Sequence, residues 1–390
     1  MTRLNWTERA AELAGHYQRF RVSERILLTG HSHQAWPDCA REAQLNAFDD
    51  AAEWVDDKWS RAFEQADRVR EEYRCRLGDS SGELVLGPNT QELLVRWLSA
   101  LPLTEKPRLV TTDGEFHSMR RLLDRLDETA IEVHKVPAEP VATLASRLSD
   151  AVDDRTAAVL CSMVMFQSGA IVPHLDQLGA DLRRKEVPLL IDAYHAVNIV
   201  PVSLDDLNLG DAFVVGGGYK YCQLGEGNCF LRVPRDCNWR PIVTGWFAEF
   251  ATLDQAPDGS VQYGSGRWAF EGSTYDATSH YRAARVFEFF NEQQLDAATL
   301  RAINLAQLRC LLDALKTYDW PDDIQLPDDN LESRGGFLVI RTSRASELVR
   351  RLREHDVYAD ARADSLRLGP APYVTETQLL KAAEVLHSVV

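Results

Sequence analysis

The segment Gly216-Gly217-Gly218-Tyr219-Lys220 closes the apolar run Ala212-Phe213-Val214-Val215. A buried ammonium costs several kcal/mol unless it is paired, neutral or covalently used. Asp192 holds a matching place at the end of the preceding apolar run, "PLLIDA" (188–193). In open α/β sheets ligands collect at the carboxyl ends of the strands. An aspartate there is either a turn residue or a partner for something cationic. A carboxylate and an amine at successive strand ends suit pyridoxal phosphate (PLP). The lysine forms a Schiff base, and the carboxylate keeps the pyridine nitrogen protonated, which makes the ring an electron sink. The third element is Gly87-Pro88-Asn89-Thr90, just before a helical pattern. Amides at a helix N-terminus and a hydroxyl suit a phosphate. Asn89 or Thr90 as a plain N-cap, worth about 1 kcal/mol, is compatible with that role.

These residues need a scaffold of strand ends, and the chain supplies one. Strands are expected at "ELVL" (83–86), "RLVTT" (108–112), "IEVHKV" (131–136), "AAVLCSMV" (157–164), "PLLIDA" (188–193), "AFVVGG" (212–217) and "CFLRV" (229–233). Helical patterns such as "TQELLVRWLSAL" (90–101) and "LDQLGADLRRK" (175–185) lie between most of them. That alternation predicts an α/β fold with a mainly parallel sheet covered on both faces. The last two runs are too close for a crossover helix, so an antiparallel pair at or near the sheet edge is expected there. Residues 1–20 read as an amphipathic helix. Residues 40–77 read as helix, with Gly78 as its C-cap. Residues 234–278 carry little periodicity, and a loop that long inside an α/β domain is usually functional. A helical region at about 279–317 precedes a β-α-β-α pattern: "GFLVIRT" (336–342), "ASELVRRLREH" (345–355), "SLRLG" (365–369) and "TETQLLKAAEVLHSVV" (375–390).

"IDAYHAV" together with "GGGYKY" resembles the class V PLP enzymes of fold type I, kynureninases in particular. The resemblance spans most of the chain. It implies a large PLP-binding domain with a mixed, mainly parallel sheet (41–280), a small C-terminal α+β domain (281–390) and an N-terminal segment (1–40) that joins the small domain and the site. It assigns Lys220 to the Schiff base, Asp192 to the pyridine nitrogen, and Asn89 and Thr90 to the phosphate. Phe116, in "EFHS" (115–118), is the ring that stacks on the cofactor. His195 is the histidine three residues after the aspartate, and Tyr219 the tyrosine beside the lysine. Trp246 matches a tryptophan near the phosphate. Ser273 and Thr274, in "FEGSTYD" (270–276), match a segment that reaches across a dimer. Arg367, in "DSLRLGPAPY" (364–373), matches the arginine that clamps the substrate's α-carboxylate, a role that suits its rigid bidentate fork. His31 and Ser32, in "GHSHQAWP" (30–37), fall where the family lines its substrate site.

The implied activity is kynureninase-like hydrolysis of the Cβ–Cγ bond of kynurenine or a related 3-acyl-alanine, with alanine and a carboxylic acid as products. Lys220, Tyr219 and Asp192 are the catalytic residues in that reading. Desulfurases have a histidine before the lysine and a cysteine just before the carboxylate arginine. Here Tyr219 precedes Lys220, and residues 345–366 hold no cysteine. Three departures leave the substrate ring open. Met119 replaces an aspartate, a histidine is missing from residues 50–60, and Thr274 stands for an asparagine. The alternatives are a class V lyase or transferase acting on another β-substituent, for example a C–S lyase, or a PLP-binding protein without turnover.

Composition bounds the rest. The 390 residues carry a formal charge of −16 without a Lys/Arg-rich block, so a nucleic-acid partner is not expected. No apolar run reaches the ~18 residues of a membrane span. The seven cysteines lack CxxC spacing, which fits a reducing cytoplasm. His31 and His33 have no carboxylate or cysteine at ligand spacing, so no metal is expected. Cys222 reads as a buried spectator. The expected assembly is a homodimer with its active sites at the interface.

Overall fold

The computed structural model describes residues 5–254 and 259–390. Parts of the expected N-terminal helix (residues 1–4) and of the long loop (255–258) lie outside the described residues. Twelve strands follow in chain order: β1 (Ile26–Leu27), β2 (Glu83–Gly87), β3 (Arg108–Thr112), β4 (Glu132–Val136), β5 (Thr156–Ser162), β6 (Leu189–Asp192), β7 (Phe213–Gly217), β8 (Cys229–Val233), β9 (Leu338–Arg341), β10 (Val357–Tyr358), β11 (Asp360–Arg362) and β12 (Ser365–Leu368).

Seven of them form the large sheet, in the order β2-β8-β7-β6-β5-β3-β4. Only β8 runs against the others, paired antiparallel to both β7 and β2. It sits one place in from the edge, as its short connection to β7 requires. Successive residues of a strand point to opposite faces, and here both faces are buried. Leu190 and Val215 join a core with Trp97, while Ile191 and Val214 join a second core with Tyr73. Two-sided burial explains why these strands read as continuous apolar runs. The shared direction of β2, β3, β5, β6 and β7 brings their carboxyl ends to one rim of the sheet.

The expected helix over 40–77 is two helices, Cys39–Trp54 and Lys58–Arg76, broken where Val55 adopts φ 48°. Gly78 takes the left-handed φ of 54° just past the second helix, as a C-terminal glycine should. The region 279–317 also divides, into Thr278–Glu292 and Ala297–Lys316. Gln294 has φ 52° at the break, and Asp296 caps the second helix by accepting from the Thr299 amide at 2.7 Å. Thr278–Glu292 crosses the expected 280/281 boundary and packs on the helices Cys39–Trp54 and Lys58–Arg76.

The C-terminal part is a three-stranded antiparallel sheet, β11-β12-β9, with helices Ala345–Arg353 and Glu376–Val389. The N-terminal segment reaches this part. β1 pairs in parallel with β10, and Thr29 bridges Gly369. These pairings hold residues 30–37 between the small sheet and the rim of the large one. No helix among the described residues is long and apolar enough to cross a membrane.

Candidate functional site

β6 ends on Asp192, whose Oδ1 accepts the Tyr194 amide at 2.8 Å. The side chain lies in a buried setting, and burial raises its pKa while the Lys220 charge lowers it. The chain then turns through Tyr194 and His195 under the end of β7. β7 leads through Gly218 and Tyr219 to Lys220. None of the three glycines has a positive φ, so they provide room rather than unusual backbone angles. A Cβ on Gly217 would lie 2.5 Å from Tyr194 Oη and 2.6 Å from Cys229 Sγ. A Cβ on Gly218 would lie 2.3 Å from Leu224 Cδ1.

Lys220 is 4% exposed, and its Nζ is 2.7 Å from His195 Nε2. Burial lowers its pKa to about 7; Asp192 opposes the shift and Arg367 adds to it. Burial, with the Lys220 and Arg367 charges, also holds His195 well below the usual imidazole value. Among the described residues, His195 Nδ1 is buried without a hydrogen-bond partner. Aromatic rings surround the amine. Nζ lies 4.5 Å from the Tyr194 ring centre, 5.1 Å from that of Phe116 and 5.8 Å from that of Tyr219.

Phe116 begins the helix His117–Asp127 after β3 and meets Phe166 edge-on at 5.3 Å. The preceding Glu115 is a buried tie between strand ends. It accepts from Thr112 Oγ1 (2.7 Å), the Ser162 amide (3.2 Å) and Ser162 Oγ (2.6 Å). Burial raises its pKa to about 7, against those hydrogen bonds. Met119, where the family has an aspartate, is packed in the core. It is buried among apolar side chains, where an unpaired carboxylate would be costly.

Tyr219 stacks on His33 (5.0 Å, 26°) and tilts against Tyr194 (5.0 Å). Burial pushes its hydroxyl up to about 12, so it stays protonated. At the end of β2, Asn89 caps the helix Thr90–Leu98 by accepting from the Glu92 amide at 2.9 Å. Thr90 is buried beside it. The helix N-terminus therefore faces the same rim.

Arg367, on β12, is buried, and its charge acts on both Lys220 and His195. It donates from Nε and Nη2 to Asp360 (2.6 and 2.7 Å) and from Nη1 to the Phe166 carbonyl (2.6 Å).

His31, expected among the substrate contacts, has no exposed surface. Its Nε2 lies 3.2 Å from Asp360 Oδ1, and its ring stacks on Phe337 at 4.6 Å. It contacts Asp360, the carboxylate that Arg367 grips. Ser32 turns back to the Thr29 carbonyl at 3.1 Å. Thus Lys220, Asp192, His195, Phe116, Tyr219 and Arg367 share one site, with Asn89 and Thr90 on its rim.

Trp246, Ser273 and Thr274 are not brought to the lysine. Trp246 is 44% exposed and stacks on Phe250 at 5.4 Å. Ser273 and Thr274 are exposed. Ser273 lines a separate cavity of about 440 Å³ with Gly87, Pro88, Arg96 and His280.

Sequence reasoning missed Tyr194, Glu115 and Asp360. Tyr194 was within the quoted motif. Asp360 was visible only through register, because a hairpin turn over 363–364 sets Asp360 opposite Arg367.

Residues 301–386 match the kynureninase C-terminal domain family. The kynureninase of Shouchella clausii (strain KSM-K16) is 22% identical over 398 residues, covering 96% of this chain and 90% of that one. Two structures of C-DES share the fold. A variant with glycine covalently linked to the PLP cofactor superposes with a TM-score of 0.82 at 15% identity, over 96% of this chain and 99% of the other. The cystine C–S lyase C-DES with its product cysteine persulfide has a TM-score of 0.80 at 16% identity, over 95% and 99%. The architecture is that of fold type I, with the mixed sheet and small C-terminal α+β part expected from the class V resemblance.

Proposed function

We propose that this chain is a PLP-dependent enzyme of class V that hydrolyses the Cβ–Cγ bond of kynurenine or a related 3-acyl-alanine to alanine and a carboxylic acid. One observation carries the reading. A buried lysine amine, easily neutral, lies at a strand end next to Asp192, among aromatic faces, with a protonated tyrosine beside it and an arginine whose charge reaches it.

The residues fit the cofactor. Asp192 is a carboxylate held on one oxygen at the end of β6, placed for a pyridine nitrogen. Phe116 offers a ring face, and the Thr90–Leu98 N-terminus, with Asn89 and Thr90, offers amides and a hydroxyl for a phosphate. When bound, the group supplies an electron sink for charge left on substrate carbon.

Lys220 Nζ is the base that removes a proton from substrate Cα, a task suited to an amine whose pKa lies near 7. His195 Nε2 holds Nζ in place at 2.7 Å. Arg367 binds the α-carboxylate. A water supplies the hydroxyl that the carbonyl carbon gains as the Cβ–Cγ bond breaks, and Tyr219 Oη, protonated at its raised pKa, donates a proton to the carbon released. Ser273 and Thr274, exposed in one copy, serve the site of a second copy in a homodimer. A fully active monomer in light scattering would contradict that part.

A second reading is a C–S lyase, favoured by the likeness to C-DES. A persulfide-forming desulfurase is disfavoured because residues 345–366, just before Arg367, hold no cysteine. Burial pushes both Cys222 and Cys229 up to about 12, so neither is a ready thiolate. The deciding assay gives the purified holoenzyme kynurenine, 3-hydroxykynurenine and a panel of β-substituted amino acids including cystine. Alanine with an aromatic acid is expected. Turnover of cystine without any alanine from the acyl-alanines would replace the first reading with the second.

A further inference from the structure

Arg367 already grips a carboxylate of its own chain. Asp360 and Arg367 are directly opposed in the β11–β12 hairpin, so their pairing is a cross-strand contact fixed by register. The contact is bidentate, from Nε to Oδ1 at 2.6 Å and from Nη2 to Oδ2 at 2.7 Å. The Phe166 carbonyl takes one hydrogen of Nη1 at 2.6 Å. A guanidinium has five N–H donors. Three are engaged here, which leaves one hydrogen on Nη1 and one on Nη2.

Asp360 is itself held from behind. A carboxylate only accepts, so the His31 Nε2 at 3.2 Å carries the hydrogen and donates it. Burial lowers His31 to a pKa of about 4, so this ring is neutral. It is clamped between Phe337 at 4.6 Å and the Gly369 backbone, where a Cβ would come within 2.4 Å of Nδ1. Burial works against ionisation of Asp360, yet the hydrogen bonds from His31 and Arg367 hold it well below the usual carboxylate range. Arg362 Nη2 also faces Asp360 Oδ2, at 3.4 Å.

We propose that Asp360, buttressed by His31, is a positioning residue that fixes Arg367 by its Nε–Nη2 edge and so presents the Nη1–Nη2 edge to a substrate α-carboxylate. The proposal rests on the reading of Arg367 as the carboxylate clamp. It accounts for a carboxylate placed where it competes for the same guanidinium. A long side chain held in one rotamer by a planar fork loses less freedom when a ligand arrives.

The test uses holoenzyme and two probes, L-alanine and L-alaninamide, titrated against the visible spectrum of the cofactor. Wild type is expected to prefer alanine. Arg367→Ala should abolish that preference. Asp360→Asn should reduce it roughly tenfold, or about 1.4 kcal/mol, with KM for turnover rising more than kcat falls. The double variant should lose nothing beyond Arg367→Ala, because the two residues act as one unit. His31→Gln keeps a donor, reports on the same buttress, and should give an intermediate loss if Asp360→Asn proves unstable. If Arg367→Ala abolishes the preference while Asp360→Asn and His31→Gln leave it within about twofold, the positioning role is wrong and the clamp stands. If Arg367→Ala itself keeps the preference, the clamp reading falls and the proposal with it.

Discussion

Lys220 Nζ lies 2.7 Å from His195 Nε2, deep in the site and with both groups shifted toward their neutral forms. A neutral imidazole can hold a neutral amine without cancelling its lone pair, whereas a carboxylate at that distance would favour the ammonium. Asp192 raises the Lys220 pKa by its charge, against the larger effect of burial.

Only the neutral amine attacks an aldehyde. Cofactor-free protein mixed with PLP should therefore gain its visible band at a rate that rises with pH, with a midpoint near 7, and levels off above it. The sign for Asp192→Asn follows from its charge. Losing a carboxylate that holds the amine's pKa up moves the midpoint lower. Stopped-flow absorbance across pH 6 to 9 reads both. A wild-type midpoint close to the ordinary 10.5 would mean that the amine is solvated rather than buried.

Tyr219→Phe separates the ring from the hydroxyl. The stacking on His33 and the tilted contact with Tyr194 survive the change, while the O–H is lost. If Tyr219 delivers a proton to carbon, kcat on an acyl-alanine should fall roughly 100-fold or more. Cofactor content and melting temperature should hardly move. An unchanged kcat with a raised KM would make Tyr219 a wall of the site and nothing more.

The large sheet was legible because its strands are buried on both faces and read as unbroken apolar runs. Lys220 and Asp192 stood out as strand-end residues next to special neighbours, whereas Phe116 was reached only through the family resemblance. What stayed hidden depends on contacts distant in sequence. β1 and β10 are two residues each, too short for any period, and form only because they pair with each other. The helix breaks at Val55 and Gln294 occur at non-glycine residues with positive φ, which no local breaker announces. Asp360 looked like one acidic residue in a charged segment until the hairpin set it against Arg367. The packing of His31 on Phe337 and its contact with Asp360 were hidden too, because sequence tells which segment approaches the site but not which face is packed.

Gly217→Ala tests whether the glycines supply room. The new Cβ would meet Tyr194 Oη and Cys229 Sγ at 2.5 and 2.6 Å. Tyr194 packs 4.5 Å from Lys220 Nζ, so moving its ring disturbs the amine's surroundings. A destabilisation of about 1–3 kcal/mol is expected from overpacking, with weaker retention of PLP on dialysis. A variant with wild-type melting and full cofactor content would show that Tyr194 can yield at no cost.

The far end of the sheet offers a stability test that leaves the chemistry alone. Arg232, on β8, is fully buried against Asp79, donating from Nε to Oδ2 at 2.8 Å and from Nη2 to Oδ1 at 3.0 Å. Its Nη1 also donates to the Gly210 and Ala212 carbonyls at 2.7 and 2.8 Å, just before β7 begins. The pair thus ties the amino-terminal ends of β2 and β7 to β8, opposite the rim that carries Lys220. Removing one partner of a buried pair strands the other charge and typically costs about 3–5 kcal/mol. Asp79→Ala should lower the unfolding free energy, read from denaturant titration, by that amount, and Arg232→Met, which leaves Asp79 stranded, should do the same. Changing both to apolar residues should recover much of the loss, since no unpaired charge remains buried. Activity per folded molecule should stay near wild type in all three, measured well below their melting temperatures. A double variant as unstable as either single one would mean that the carbonyl ties to Gly210 and Ala212, rather than the charge pair, hold this end of the sheet.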